Sequence, residues 1–189
     1  MKPFVLALLA CAALPAAAQT PPIKPGLWTV EKYESSGDGA PSAADRGKMA
    51  DALKNMPPEQ RAQMEAMMKQ RGIDMGSMAA GNGPQGMKMC FDKASLDQNG
   101  WQGEQGRCKT DFTSRSATSW KWTSTCAEPP STGQGEARFE GNDRYTVDFT
   151  NTVTLKGQPR TSRHTMTMRR LGDDCGGLKP IQQMRPQRQ

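Results

Sequence analysis

A two-residue alternation of apolar and polar side chains recurs along most of this chain. Such a period places alternate side chains on opposite faces of a β-strand. Tyr145, Val147 and Phe149, for example, fall on one face of their segment. The predicted strands are 27–34, 87–91, 109–113, 118–126, 138–140, 145–155 and 163–171. The pattern predicts a mainly β (α+β) domain, in which an antiparallel meander curls into an open barrel or a sandwich.

One segment, 42–72, has helical rather than strand-like spacing. Ser42 begins an S-x-x-D capping pattern, and methionine or leucine then recurs every three or four residues. Pro57-Pro58 ends one helix and begins the next, because proline is tolerated in the first turn of a helix. We therefore predict a methionine-rich helical hairpin inserted after the first strand, followed by a glycine-rich loop over 73–85.

Residues 1–18 have the composition of an export signal. A lysine precedes the apolar run 4–14, which is too short to span about 30 Å of hydrocarbon as a helix. Ala16-Ala17-Ala18 matches the small-x-small cleavage pattern. The residues before Cys11 loosely resemble a lipoprotein box, but the apolar stretch continues past this cysteine, so we favour cleavage near Ala18 over lipidation. The expected location is periplasmic or secreted.

The amino-acid composition limits the kinds of structure that the exported chain can form. After residues 1–18 are removed, Val, Ile, Leu and Phe account for only 16 of 171 residues, below the roughly 20% at which disorder becomes a serious interpretation. A membrane-spanning bundle and a large aliphatic enzyme core are excluded on this basis. We predict one β-rich domain over 19–181, with the helical insertion at about 42–72, and a disordered tail over 182–189.

Four cysteines remain after the signal segment: Cys90, Cys108, Cys126 and Cys175. An even number in a small exported domain predicts two disulfide bonds. Three pairings satisfy this count, and we favour Cys90 with Cys108 and Cys126 with Cys175 because each bond then joins neighbouring predicted strands. A zinc site is disfavoured, since no two of these cysteines have C-x-x-C spacing.

Methionine is the residue type that stands out in the middle of the chain. Seven lie within 26 residues: Met64, Met67, Met68, Met75, Met78, Met87 and Met89. Thioether sulfur is a soft ligand that suits Cu(I), so these residues are weak candidates for a copper site. The interpretation we favour is that Met64, Met67 and Met68 pack the insertion onto the sheet, because flexible methionine fills the gaps of a core poor in leucine and isoleucine. A third interpretation is an adaptable surface for apolar ligands or client proteins.

No catalytic constellation is evident in the sequence. His164 is the only histidine, and it lies in a strand-like stretch without the sharp turn of a nucleophile site. Asp173 and Asp174 are expected to form a polar turn before Cys175. Basic residues cluster late in the chain, and we interpret them as a solvated strand edge that resists edge-to-edge pairing. They are Arg160, Arg163, Arg169, Arg170, Lys179, Arg185 and Arg188.

Three motifs in order suggest a family. They are IKPGLW at Ile23–Trp28, a methionine-rich stretch at Met56–Ile73 and LGDDCG at Leu171–Gly176. Together they resemble the exported bacterial family catalogued as domain of unknown function 3617, over nearly all of the chain that follows the signal segment. The resemblance implies an exported, disulfide-bearing, β-rich domain without an established activity. It transfers no catalytic residue.

We therefore predict a non-enzymatic cell-envelope protein that binds an apolar ligand or a protein partner in the periplasm, without a resident cofactor. Its tryptophans, Trp28, Trp101, Trp120 and Trp122, either line a cavity where the sheet curls or fill the core. The alternative is a Cu(I)-binding or stress-chaperone-like protein, the latter because PPEQ resembles the proline-glutamine motifs of periplasmic chaperones. No nucleic-acid partner is expected for an exported chain.

Overall fold

The computed structural model describes residues 20–40, 42–79, 83–97 and 108–181. Within them the chain forms seven strands and four helices. The strands are β1 (Gly26–Ser36), β2 (Lys88–Phe91), β3 (Cys108–Arg115), β4 (Ser119–Cys126), β5 (Ser131–Phe139), β6 (Arg144–Leu155) and β7 (Gln158–Gly172). The helices are α1 (Ala43–Lys54), α2 (Pro58–Gln70), α3 (Met75–Ala79) and α4 (Lys93–Asp97). The predicted signal segment, Trp101 and the predicted tail lie outside the described residues.

The seven strands form a single antiparallel sheet in the order β2-β1-β7-β6-β5-β4-β3. Strands β3 to β7 are a meander in which each strand pairs with the next one along the chain. Strand β7 then pairs with β1, and β1 pairs with β2. The sheet is open, because β2 and β3 are its outer strands among the described residues. The predicted mainly β meander is confirmed.

One face of the sheet, which we call the inward face, carries a core built mainly from aromatic rings. Trp28 packs against Tyr145 with ring centroids 5.3 Å apart, and Trp120 packs edge-on against Phe139 at 5.9 Å. The buried cluster comprises Ile23, Trp28, Val30, Phe91, Leu96, Trp120, Trp122, Ala137, Phe139, Tyr145 and Met168. Because each ring buries a large apolar area, a few aromatic residues compensate for the shortage of aliphatic ones.

The opposite, outward face carries ion pairs between neighbouring strands. Glu31 of β1 meets Arg169 of β7 at 3.2 Å and Arg144 of β6 at 3.0 Å. Arg138 of β5 pairs with Asp148 of β6. A hydrogen bond from Thr165 and the contact with Arg138 lower the pKa of the Asp148 carboxyl. Exposed pairs of this kind each contribute little to stability, so the inward face is the main source of the folding free energy.

The interpretation of the late basic residues as a strand edge is wrong. Four of them belong to β7, which lies in the interior of the sheet between β1 and β6. Arg169 is bonded to Glu31, and Arg170 donates a hydrogen bond to the backbone oxygen of Pro25 at 2.9 Å. Arg169 and Arg170 therefore project from the sheet and bond to groups within the chain.

The predicted helical hairpin is confirmed. Ser42 caps α1 by accepting a hydrogen bond from the Asp45 amide at 3.1 Å, and the Asp45 carboxylate accepts one from the Ser42 amide at 3.2 Å. Pro58 opens α2. Neither α1 nor α2 has a buried residue, so these helices add little to the core of the sheet.

Two short helices and most of β5 were not predicted. Helix α3 lies in the segment expected to be a loop, and α4 begins after Asp92, whose carboxylate accepts a hydrogen bond from the Ser95 amide at 2.7 Å. The prediction for β5 covered only residues 138–140. Gly133 and Gly135 interrupt the apolar alternation there, although the strand pairs continuously with β4 and β6.

The two disulfide bonds join Cys90 to Cys175 and Cys108 to Cys126. The favoured pairing of Cys90 with Cys108 and Cys126 with Cys175 is therefore wrong. Strands β2 and β3 follow each other along the chain but lie at opposite edges of the sheet, which separates Cys90 from Cys108. Cys108 instead lies directly opposite Cys126 on the adjacent strand.

Candidate ligand-binding face

Burial along the inward face decreases from one end of the strands to the other. Near the start of β1, Trp28 and Val30 are fully buried. Further along, the apolar side chains are only half-buried, although they pack against the core. We call this region the half-buried patch and define it by Tyr33, Val147, Phe149, His164 and Met166. Strand register places these residues together, since Tyr33 lies opposite Met166, Val147 opposite Met166, and Phe149 opposite His164.

A chain of three polar side chains crosses the patch. The Tyr33 hydroxyl lies 2.8 Å from Nδ1 of His164, and Nε2 of His164 lies 3.0 Å from the Ser162 hydroxyl. The Tyr33 and His164 rings are stacked, with centroids 6.0 Å apart and planes inclined by 21°. Burial lowers the pKa of His164, so the imidazole is neutral at pH 7. We call this group the Tyr33–His164–Ser162 cluster.

Two glycines of β5 make room for aromatic rings next to the patch. A Cβ atom on Gly135 would lie 2.3 Å from the Trp122 ring, and one on Gly133 would lie 2.6 Å from the Phe149 ring. Both separations are shorter than van der Waals contact, so any other residue would displace the ring. The glycines therefore let Trp122 and Phe149 lie against the strand.

The cluster superficially resembles a nucleophile–histidine pair, with Tyr33 in the place of the orienting carboxylate. Ser162, however, is 7% exposed and lies on β7, where both neighbouring strands are paired. The amide of the preceding Thr161 donates to Asp38 at 2.7 Å. Acyl transfer needs unoccupied N–H donors next to the nucleophile, and the strand does not provide them at this position.

Asp173 and Asp174, the other polar pair considered from the sequence, lie in the predicted turn after β7. Asp174 accepts a hydrogen bond from the Gly176 amide at 2.9 Å, and Asp173 pairs with Arg170. Among the described residues, no group of three or more His, Cys, Asp and Glu side chains is arranged to hold a metal ion.

The seven candidate methionines are divided between different environments. Met87 and Met89 pack against the core of the sheet. Met67 is 49% exposed on α2. The half-buried members are Met64, Met68 and Met75, and the backbone of Met78 belongs to α3. The predicted packing of Met64, Met67 and Met68 onto the sheet is wrong for Met67, which is exposed on a helix that has no buried residue, and copper binding stays an alternative prediction.

Two cavities lie between the helical insertion and the edge of the sheet. The larger, of about 660 Å³, is lined by Leu27, Glu65, Lys69, Gly72, Ile73, Asp74, Met75, Gly76, Gly86, Lys88, Cys175, Gly176 and Leu178. The smaller, of about 260 Å³, shares Ile73 and Asp74 with it and is also lined by Gly83 and Met87. A Cβ atom on Gly83 would lie 3.0 Å from the Tyr33 ring. The larger cavity therefore lies beside the Cys90–Cys175 bond, and the smaller one reaches Gly83, next to Tyr33 of the half-buried patch.

Residues 23–175 match a family described as "Protein of unknown function (DUF3617)". The chain belongs to the DUF3617 family. This match confirms the resemblance carried by the three sequence motifs, and it extends from the buried residue Ile23 to Cys175. All of the half-buried patch and both disulfide bonds of this DUF3617 chain fall within it.

The DUF3617 chain is also similar to an "Uncharacterized protein in lpd-3 5'region" of Pseudomonas putida. The two are 33% identical over 119 residues, which cover 62% of this chain and 77% of that protein. No solved structure matches the chain. In the described part of this DUF3617 protein, no helix is both long and apolar enough to cross a membrane.

Proposed function

We propose that this DUF3617 protein binds a small apolar ligand on its half-buried patch. The observation that carries the proposal is the combination of half-buried apolar side chains with one convergent polar cluster on the same face. Binding sites for small molecules commonly pair an apolar lining with a few placed polar groups. A histidine whose pKa is shifted by burial adds to this combination.

The cavities beside the patch support a ligand of drug-like size. The larger cavity, of about 660 Å³, falls within the roughly 300–1,000 Å³ typical of small-molecule sites. The smaller cavity reaches Gly83, which borders the Tyr33 ring. In this proposal, a ligand that contacts Tyr33 of the patch extends toward the smaller cavity beside Gly83.

We further propose that binding takes place outside the cytoplasm. The export-signal composition of residues 1–18 and the two disulfide bonds support this location, because disulfides persist in oxidising compartments. In this proposal the protein acts as a carrier or sensor of its ligand and not as an enzyme.

The proposal is tested by binding of N-phenyl-1-naphthylamine, an apolar dye whose fluorescence rises on leaving water. We expect the native protein to bind it and Val147→Asp to weaken binding at least about tenfold, because a buried carboxylate must be desolvated. Thr150→Asp is the matched control, since it places the same charge on the outward face of the same strand. Val147→Thr, which preserves the side-chain shape, covers the case in which Val147→Asp does not fold.

Native mass spectrometry of protein purified from the cell envelope provides a second readout. A bound small molecule that is lost in Val147→Thr supports the proposal. Absence of any bound molecule, together with dye binding that is equal in native protein, Val147→Thr and Thr150→Asp, overturns it.

A further inference from the structure

The Tyr33–His164–Ser162 cluster contains one more hydrogen-bond donor than it uses. With a neutral imidazole, the three side chains have three polar hydrogens, yet they form two hydrogen bonds with each other. If Tyr33 donates to Nδ1, then Nε2–H donates to Ser162 and the Ser162 hydroxyl hydrogen is spare. In the other tautomer, Ser162 donates to Nε2, Nδ1–H donates to Tyr33, and the Tyr33 hydrogen is spare. In both tautomers one hydroxyl hydrogen of the cluster, that of Ser162 or that of Tyr33, is available to an acceptor.

A third hydroxyl adds to this surplus. Ser35 lies opposite His164 in the register of β1 and β7, so the two side chains share the inward face. Its Oγ atom is buried and has no hydrogen-bond partner in the described part of the protein. A buried hydroxyl without a partner costs free energy, and an acceptor supplied by a ligand removes that cost.

The residues that lie directly opposite the cluster on the neighbouring strands carry no formal charge. Its neighbours in the strand register are Ser35, Val147, Phe149, Asn151 and Met166. The charged side chains of the same strand segments, such as Glu34, Asp148 and Arg163, alternate onto the outward face.

Arg160, two residues before Ser162, is the cation nearest to the cluster on the same face of β7, and its guanidinium donates to the carbonyl of Asp38 at 3.5 Å. A ligand carboxylate or phosphate placed between Tyr33 and His164 would lose its hydration without a cation among the residues opposite them. The site therefore suits a neutral acceptor.

We propose that the ligand is a neutral apolar molecule with a carbonyl group, such as a ketone, an ester or a quinone, whose oxygen accepts a hydrogen bond from this cluster. The inference rests on the proposed function, because it assigns the polar part of the ligand bound on the half-buried patch. Tyr33 or Ser162 donates the hydrogen bond, according to the tautomer of His164. The apolar remainder contacts Phe149, Val147 and Met166.

Three naphthalenes of similar size test this inference by equilibrium dialysis: 2-ethylnaphthalene, 2-acetylnaphthalene and 2-naphthoate. We expect the native protein to bind 2-acetylnaphthalene about three- to tenfold more tightly than 2-ethylnaphthalene, the ratio that corresponds to one net hydrogen bond. The triple variant Tyr33→Phe/Ser162→Ala/His164→Leu, which also removes the imidazole N–H that the first two substitutions would leave without an acceptor, should lose this preference and still bind 2-ethylnaphthalene. Thr161→Val is the matched control, because it removes a hydroxyl from β7 that bonds to Thr152 at 2.9 Å on the outward face.

The possible outcomes separate the two proposals. Equal binding of the ethyl and acetyl compounds by the native protein overturns the carbonyl inference and leaves apolar binding intact. Tightest binding of 2-naphthoate also overturns it, since an anion would then be the preferred ligand. Failure of all three compounds to bind the native protein overturns the proposed function itself. A preference that persists in the triple variant shows that the cluster is not the donor and overturns the inference.

Discussion

Cys90 on β2 is bonded to Cys175 beyond the end of β7, although β1 lies between these two strands. The chain after β7 therefore passes the end of β1 and returns to the outer strand. Close to this bond, Cys90 also forms a β-bridge with Pro180, and the amide of Lys88 donates to the carbonyl of Gly72 at 2.7 Å. These contacts cover the outer edge of β2, which would otherwise be available for pairing with another chain.

We predict that the two disulfide bonds differ in their contribution to stability. The Cys90–Cys175 bond spans 85 residues and the Cys108–Cys126 bond spans 18. On the chain-entropy account, removal of the longer bond costs about 4–5 kcal/mol and removal of the shorter one about 3 kcal/mol. Urea unfolding of Cys90→Ala/Cys175→Ala and Cys108→Ala/Cys126→Ala measures this difference. A greater loss on removal of the shorter bond would contradict the prediction.

We predict that His164 titrates below its ordinary pKa of about 6.5, because burial disfavours the imidazolium. It is the only histidine in the chain, so its proton NMR signals need no assignment among several histidines. The groups that face it are the uncharged Tyr33 and Ser162 hydroxyls. A measured pKa above 6.5 would refute the burial argument.

The same shift predicts a pH dependence of stability. Between the folded and unfolded pKa values of His164, the unfolded chain binds more protons, so the free energy of unfolding decreases as the pH falls. The contribution of His164 is complete above about pH 6.5 and is lost as the pH falls from there to the folded pKa. His164→Gln should remove this component from urea unfolding measured between pH 7.5 and 5. An unchanged pH dependence in this variant would exclude His164 as its source.

We predict that Gly135→Ala destabilises the protein by about 1–3 kcal/mol, the usual cost of overpacking. The added Cβ would lie 2.3 Å from the Trp122 ring and force it away from β5. Gly172→Ala is the matched control, because a Cβ there meets no atom within 4 Å. Thermal unfolding of both variants, with Trp fluorescence as a second signal, checks the prediction. Equal stability of the two variants would show that the ring adapts without cost.

We predict that Cu(I) binds no more tightly than micromolar. Met87 and Met89 pack against the core, while Met67 is largely exposed on α2, so the candidate sulfurs do not all belong to one environment. Titration against a competing Cu(I) chelator measures the affinity. A nanomolar affinity that is lost in Met64→Leu/Met68→Leu would instead establish the copper alternative.

The local patterns were sufficient to predict most of the elements. The S-x-x-D pattern at Ser42 and the proline pair marked the hairpin because capping and proline geometry depend on adjacent residues. The strand at Tyr145 and Val147 was predictable because alternation is also local. Helix α4 was missed although Asp92 and Ser95 form a recognisable cap. Most of strand β5 was missed because Gly133 and Gly135 break the apolar alternation. The rings that require glycine there, Phe149 and Trp122, belong to other strands.

The candidate site was much less accessible to prediction. His164 was predicted to lie in a strand, but its partner Tyr33 lies 131 residues earlier in the chain. No local pattern connects these positions. Their proximity follows from the pairing of β1 with β7, which joins the first and last strands of the chain.

The sequence by itself determined the family, the mainly β class, the helical hairpin and the presence of two disulfide bonds, because composition, periodicity and caps act over a few residues. Only the tertiary structure decided which cysteines pair and which polar groups meet. Both depend on strand order: β2 and β3 are successive strands that occupy opposite edges, while β1 and β7 are distant strands that lie side by side. Strand order results from the burial of the whole inward face, to which every strand contributes.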